Sequence, residues 1–327
     1  MPAKEIRLDD LKQVFAAVEA QRITYCKARQ TGMIWMATVV VALVIAIGLG
    51  LMANAPGIAL IILGVCGLVA LGIVLNCFFY SPFQKYRVQF KEQFIGPLIR
   101  SVADEVEYEP TGCSTMMAEY RASELYPQSV DRHKTEDMLH GRIGATDLRL
   151  SEIHTEYKTT STDSKGNKRT SWHTIFRGLF FSADFHKDFQ GSTFVKSDVA
   201  EKTFGSFGRM FQQSLFSSLQ LVQLEDPDFE REFVVHTSDQ VEARYILSTS
   251  MMQRMLDLKH QFSAPVEFSF VRSQMYIAIS TTKDYFEPER KQSLLDDEYI
   301  KLYLQQIQLC LGVVENLGLN VRVWSKQ

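Results

Sequence analysis

The longest uncharged stretch of the chain limits its possible folds more than any other feature. Between Arg29 and Lys85 there is no Asp, Glu, Lys or Arg. A bilayer core is about 30 Å thick, so a helix of about 20 apolar residues crosses it. Two segments have that length, Met33–Ala53 and Gly57–Tyr80, and the turn around Pro56 separates them. The sequence therefore predicts a transmembrane helical hairpin.

A soluble helical pair and a secretory signal peptide both fit this stretch less well. A buried helical pair in a soluble core would keep a polar face, and neither segment has one. A secretory signal peptide has a shorter apolar run, and here a second apolar segment follows the first at once. We therefore expect both segments to span a membrane.

The residues that flank the hairpin predict its orientation. Lys and Arg accumulate on the cytoplasmic side of membrane spans. Basic residues precede the first segment and follow the second, whereas the connecting turn carries no charge. Both termini are therefore expected in the cytoplasm. The aromatic and basic residues expected at the membrane interface are Trp35, Phe79, Tyr80, Lys85 and Arg87.

Small residues recur every four positions in the first apolar segment, at Ala42, Ala46 and Gly50. Small side chains let two helix backbones approach closely. This face is expected to pack against the second segment of the hairpin. The alternative is that it joins two copies of the chain in a homo-oligomer.

The hairpin divides the chain into four predicted parts. Residues 1–31 have apolar side chains at helical spacing and predict an amphipathic cytoplasmic helix. The hairpin occupies 32–81, a helical connector occupies 82–137, and an α+β cytoplasmic domain occupies 138–327. The predicted fold class is therefore α+β, with an N-terminal transmembrane helical hairpin followed by a β-rich cytoplasmic domain with flanking helices.

The C-terminal domain has the patterns of several antiparallel strands. Asp147–Lys158 and Ser171–Asp184 are both expected to be strands, joined by a long polar hairpin tip. Residues 199–216 are rich in Gly, Ser and Phe, and predict a loop followed by a short helix. Alternating apolar residues from Leu319 to Val323 predict a final strand.

Composition excludes some classes of function. The formal net charge is −3, so the chain lacks the basic excess of a nucleic-acid-binding protein. The five cysteines include no CxxC pair, which favours free thiols in a reducing compartment. No Walker A loop, GxGxxG, HExxH or GxSxG motif is present. We therefore expect no cofactor and no metal, and an enzyme is not the first hypothesis.

Several short strings resemble a known family. They are Gly141–Ile143, Thr174–Phe180, Asp184–Thr193, Glu225–Glu230 and Ala243–Ser248. Together they resemble the bacterial family known as domain of unknown function 3137. The resemblance implies a protein of the bacterial inner membrane with no assigned activity. It also suggests a LemA-type membrane protein as a partner.

Two small groups of residues are candidates for ligand binding. His133 and His140 lie seven positions apart among carboxylates, so on a helix they would share a face and could hold a metal. Asp226 and Asp228 flank a proline, and paired carboxylates can perform acid–base chemistry or bind a cation. Solvated charge and an acidic turn between strands are the alternatives for the two groups.

The basic residues of the hairpin tip, Lys165, Lys168 and Arg169, could touch anionic lipid headgroups or remain solvated. The first functional hypothesis is a membrane-anchored cytoplasmic interaction or ligand-sensing domain. One alternative is an enzyme of unrecognised type that acts on a membrane-proximal substrate. Another is a component of an oligomeric transport assembly, which two spans without an ionisable residue make less favourable.

Overall fold

The computed structural model describes residues 8–54, 56–111, 114–163, 165–185, 187–197 and 219–319. The chain forms two compact units. The first, here the helical unit, contains Met1–Leu98 and Phe286–Leu304, and the second, the sheet unit, contains Ile99–Tyr285 and Gln305–Gln327. The helical segments before the first strand are α1 (Leu8–Met52), α2 (Gly57–Leu75), a π turn (Asn76–Tyr80), α3 (Ser81–Phe90), a second π turn (Lys91–Ile95) and α4 (Gly96–Val102).

The two π turns have the same local cause. Each ends two residues before a proline, Pro82 in the first case and Pro97 in the second. Proline has no backbone N–H and its ring clashes with the carbonyl one turn earlier, so an α-helix cannot pass through it undisturbed. A single wider turn lets the helix continue. The helix from Gly57 therefore runs on to Val102.

Two helices in the described part of the chain are long and apolar enough to cross a membrane. The polar N-terminal part of α1 buries one face, with Phe15 and Val18 fully enclosed. Further along, the apolar side chains of both helices point outward, as Val44 and Leu68 do. A stripe of exposed aliphatic side chains gains free energy from an apolar environment and loses it in water.

Glycines mark the places where the two apolar helices meet. A Cβ added to Gly32 would lie 2.5 Å from Cβ of Phe78, and one added to Gly67 would lie 2.6 Å from Leu43. Ala46 and Gly50 are half-buried, whereas Ala42 is exposed. Gly32 and Gly67 therefore allow the close approach within the hairpin, and pairing of two copies through the alanine face stays a prediction.

Replacing Gly32 by alanine is expected to force α1 and the first π turn apart. The new methyl meets Cβ of Phe78, which cannot move without its backbone. Overpacking of this kind costs roughly 1–3 kcal/mol. Gly48→Ala is the matched control on the same helix, because nothing lies within 4 Å of its added Cβ. Thermal unfolding in detergent should show a lower midpoint for Gly32→Ala alone, and equal midpoints for both variants would contradict the packing.

The sheet unit contains a nine-stranded antiparallel sheet with strand order β1-β2-β3-β4-β9-β8-β5-β7-β6. The strands are β1 (Val106–Glu109), β2 (Arg132–Ile143), β3 (Thr146–Thr162), β4 (Lys168–Asp184), β5 (Ser192–Ser197), β6 (Gln220–Val222), β7 (Phe233–Thr237), β8 (Val266–Val271) and β9 (Gln274–Ser280). The helices from here on are α5 (Ser114–Ala122), α6 (Pro227–Glu232), α7 (Gln240–Ile246), α8 (Thr249–Phe262), α9 (Asp297–Leu311) and α10 (Val313–Asn316).

Both faces of the central strands are covered. On one face, Met116 and Tyr120 of α5 pack in a core cluster with Phe180 and Tyr276. Neighbouring residues in a strand point to opposite faces. On the other face, Phe268 contacts Phe233 with ring centroids 5.9 Å apart. Every residue of β8 is buried, including the polar Glu267 and Ser269.

The mixed fold is confirmed: two long apolar helices precede an antiparallel sheet domain. The hairpin of β3 and β4 is confirmed, as is the shorter hairpin of β8 and β9. One assignment was wrong, because β1 and the first half of β2 lie within residues 82–137, which the sequence pattern indicated to be helical. Residues 199–216 and the final strand beyond Leu319 lie outside the described residues. The division into four parts stays a prediction.

Candidate functional site

A buried carboxylate attaches segment Phe286–Leu304 to α1 within the helical unit. Glu19 accepts hydrogen bonds from Arg22 Nε at 2.9 Å, Ser293 Oγ at 3.0 Å and the backbone N–H of Leu294 at 2.9 Å. Burial alone would raise the pKa of Glu19, but these hydrogen bonds outweigh it and lower the pKa below the usual value. The carboxylate is therefore stable in its charged form.

A second carboxylate attaches the same segment to α3. Glu287 accepts from Arg87 Nε at 2.7 Å and forms an ion pair with Lys91 Nζ at 2.8 Å. Burial opposes the charge on Glu287, yet Arg87 and Lys91 lower its pKa below the usual value. Arg87, which the sequence pattern indicated to be an interface residue, thus makes a specific protein contact. Trp35 and Tyr80 are exposed, as headgroup contacts require, and Lys85 is exposed while Phe79 is half-buried.

Aromatic rings pack against one another within the helical unit. Phe94 lies at their centre, with ring centroids 4.4 Å from Phe15, 4.9 Å from Phe90 and 5.5 Å from Tyr303. Tyr299 stacks edge-on against Tyr303. This set of residues, here the aromatic cluster, joins three separate parts of the chain into one packed core.

Acid is expected to loosen segment Phe286–Leu304 from the helical unit. The pKa values of Glu19 and Glu287 are lowered from 4.5, so their contribution to stability is fully present above about pH 4.5. That contribution is lost as the pH falls through the lowered folded values. Hydrogen exchange of the segment, corrected for the intrinsic rate, should rise as the pH falls below 4.5. An unchanged protection factor down to pH 3 would contradict the role of these two groups.

An open cleft of 640 Å³ lies on the sheet unit. Its walls come from α5, β2, β3, β4 and β9, so the antiparallel pairing of four strands creates it. Most of the side chains that line it are polar or charged. The lining side chains used below are Glu119, His140, Arg142, Asp147, Arg149 and Ser182.

The charged groups of the cleft are arranged in pairs. Arg149 donates to Glu119, and Ser182 Oγ donates to the other oxygen of Glu119 at 3.1 Å. Arg142 Nε donates to Asp147 at 3.1 Å. Burial raises the pKa of the neighbouring Tyr276 to about 12, and the charge of Glu119 adds to the effect. The cleft thus offers ion-paired groups that suit a polar organic ligand better than a bare cation.

The structure brings only one of the sequence candidates to this cleft. His140 lies in its wall, 3.3 Å from a carboxylate oxygen of Glu109. His133 is exposed on the same strand, roughly 20 Å away at about 3.3 Å per residue. The two histidines cannot share a metal ion, because they lie on an extended strand and not on one face of a helix.

The acidic turn has a local structural role. Asp226 caps α6, accepting from the backbone N–H groups of Asp228 at 3.0 Å and Phe229 at 3.1 Å. Asp228 is exposed and forms an ion pair with Arg231 at 3.2 Å. This turn lies beside β6, at the opposite edge of the sheet from β1 and β2. It therefore contributes nothing to the cleft that contains His140.

A buried ion pair lies beneath the face covered by α5. Lys196 Nζ is 3.0 Å from Glu267 Oε2 and donates to the carbonyl of Leu125 at 2.8 Å. The side chains of Lys196 and Glu267 are 7% and 4% exposed, so water reaches neither of them freely. The ring of Tyr126 lies 4.7 Å from the ammonium group and adds a cation–π contact.

Fold and sites together define a mixed α/β protein with two long apolar helices and an antiparallel sheet domain. The family described as "Protein of unknown function (DUF3137)" matches residues 174–319, which confirms the resemblance. No curated protein matches the chain. The crystal structure of the mycobacterial trehalose monomycolate transport factor A, TtfA, is similar at 8% identity and TM-score 0.34, over 70% of this chain and 97% of that chain.

Proposed function

We propose that the chain is a membrane-anchored interaction or ligand-sensing protein of the bacterial inner membrane, with both termini in the cytoplasm. Two apolar helices with outward-facing aliphatic side chains support the anchor. The basic residues that flank both apolar segments support the orientation. The family match supports the resemblance to the bacterial family of membrane proteins, and that family has no assigned activity.

The cleft on the sheet unit is the observation that carries the sensing role. It has the volume of a small-molecule site, and its charges are held in place by ion pairs before any ligand arrives. Preorganised polar groups of both signs favour a ligand that itself carries acidic and basic groups. An amino-acid-like or peptide-like molecule has that chemistry.

A photo-cross-linker placed at Gln274 in living cells tests this role. Gln274 lines the cleft, whereas the control position Val241 is 79% exposed and absent from the cleft lining. We expect a specific adduct at Gln274 and none at Val241. An adduct with a LemA-type protein would identify the partner that the family resemblance suggests.

The matched variants for this experiment are Arg149→Ala and Arg121→Ala. Arg149 holds the central pair of the cleft, and Arg121 is an exposed arginine outside the cleft lining. Hydrogen bonds to charged groups contribute about 1.5–3 kcal/mol, so Arg149→Ala should reduce the adduct roughly tenfold or more. Equal adducts in both variants, or equal labelling at Gln274 and Val241, would contradict the proposal.

A further inference from the structure

The hairpin of β3 and β4 extends far beyond the rest of the sheet. β2 pairs with β3 only as far as Glu156, and β9 pairs with β4 only from Gly178. Residues Tyr157–His173, here the ribbon, therefore have strand partners only within this hairpin, from Tyr157 with His173 to Thr162 with Lys168. At its base, the backbone N–H of Lys158 donates to Asp131 Oδ2 at 2.7 Å. At about 3.4 Å per residue, this free two-stranded ribbon is roughly 20 Å long. Most of its described side chains are exposed.

The ribbon is basic, although the chain as a whole has a net charge of −3. It contains four basic residues and one acidic residue. The basic residues are Lys158, Lys165, Lys168 and Arg169. None of these four forms an ion pair with any residue in the described part of the chain. Their charges are therefore available to an external anion.

The one carboxylate of the ribbon is used by the turn. Asp163 Oδ1 accepts from the backbone N–H groups of Lys165 at 2.9 Å and Asn167 at 2.8 Å. Its other oxygen accepts from the Asn167 side chain at 3.1 Å. These hydrogen bonds lower the pKa of Asp163 and hold the ionised carboxylate within the turn. With four basic residues and this one carboxylate, the ribbon carries a net charge of +3.

One face of the ribbon combines Lys158 and Lys168 with an aromatic ring. Lys158 lies directly opposite Trp172, which is 41% exposed. The Arg132 guanidinium stacks over the Trp172 ring at 4.0 Å, while the same arginine pairs with Glu156. Tryptophan and lysine side by side are typical of side chains that rest at the headgroup level of a bilayer.

The positive charge of the ribbon favours some binding partners over others. Both edges of the ribbon have unpaired backbone groups that a second copy could extend, but two ribbons of like charge repel each other. An anionic surface is attracted instead. We propose that the ribbon docks on anionic lipid headgroups of the bilayer that holds the chain, and this proposal rests on the proposed membrane anchor. The tether keeps those headgroups at high effective concentration.

Hydrogen exchange of the full chain in lipid nanodiscs tests this docking. One set of discs contains zwitterionic lipid alone, and the other also contains roughly 30% anionic lipid, enough for a strong negative surface potential. We expect slower exchange at Tyr157–His173 only in the anionic discs. The protection should disappear in about 1 M salt, where the Debye length falls to about 3 Å.

The decisive variant is the triple substitution Lys158→Gln, Lys168→Gln, Arg169→Gln. Each basic residue near an anionic surface contributes a factor of about five, so the docked-to-free ratio should fall roughly a hundredfold. The control removes the same charge from exposed arginines elsewhere on the sheet unit, by Arg121→Gln, Arg231→Gln and Arg272→Gln. This control should leave ribbon protection unchanged.

Three results would overturn the docking. They are equal ribbon protection in both kinds of disc, equal loss in the triple variant and its control, and complete displacement by a short RNA duplex at matched phosphate concentration. The last would assign the ribbon to nucleic acid. A chain that fails to insert into discs at all would instead refute the membrane anchor, so failure of the anchor and failure of the docking are distinguishable.

Discussion

Replacing Lys196 by alanine is expected to destabilise the sheet unit by about 3–5 kcal/mol, the usual cost of leaving a buried charge without its partner. The substitution leaves the buried carboxylate of Glu267, whose side chain is 4% exposed, without its ion-pair partner. It also removes the hydrogen bond to the Leu125 carbonyl. Urea unfolding of the detergent-solubilised chain, followed through hydrogen exchange of β5 and β8, measures the loss. Both strands should open at a lower urea concentration than in the parent chain.

The matched control for this prediction is Arg231→Ala. Arg231 also pairs with a carboxylate in the sheet unit, but both side chains of that pair are more than 70% exposed. Exposed ion pairs contribute about 0–1 kcal/mol, so the control should unfold close to the parent. The double variant Lys196→Met, Glu267→Leu should recover most of the loss, because it removes both charges. Equal destabilisation by Lys196→Ala and Arg231→Ala would contradict the buried pair.

The substitution Phe94→Ala is expected to cost the helical unit about 3–5 kcal/mol, as truncation of a fully buried phenylalanine usually does. Phe94 is 0% exposed and contacts a ring of its own helix and rings of two other segments of the chain. The cavity should release segment Phe286–Leu304, since the aromatic cluster holds it against α1 and α3. Hydrogen exchange of that segment should accelerate.

Tyr80→Ala serves as the control for Phe94→Ala. Tyr80 is an aromatic residue of the same helix run, but 63% of it is exposed. Its loss leaves no cavity, so exchange of segment Phe286–Leu304 should stay at the parent rate. If Phe94→Ala left the segment equally protected, the aromatic cluster would not be what holds it in place.

The sequence predicted the elements whose signals are local. The lack of charged residues between Arg29 and Lys85 was enough to predict two long apolar helices. Alternating apolar and polar residues at the start of β3 and an aromatic-rich apolar run in β4 are both typical of strands, so the sequence predicted both. These signals depend only on neighbouring residues, so no knowledge of the fold was needed to interpret them.

The first half of β2 was missed for an identifiable reason. Asp137 has a positive φ of 56°, and the register with β3 shifts between Glu136 and Leu139. A bulge of this kind adds a residue to one strand and reverses which side chains face the core. The alternation that identifies a strand is broken at that point. A run of polar residues before the bulge then looked like a connector.

The candidate sites depend on contacts that no local pattern contains. Glu19 accepts from the backbone of Leu294, 275 positions further along the chain. Arg149 and Glu119 lie 30 positions apart and meet only because α5 covers one face of the sheet. The sequence could place Arg149 on the face of β3 opposite Leu148 and Leu150. It could not tell which residue would face it there.

Reporter fusions at two positions test the central claim most directly, that two apolar helices anchor a cytoplasmic domain. One reporter is active only in the cytoplasm and the other only in the periplasm, and each is fused after Gln327 and, separately, after Asn54 between the helices. The account predicts cytoplasmic activity at Gln327 and periplasmic activity at Asn54. Periplasmic activity at Gln327, or cytoplasmic activity at both positions, would contradict it.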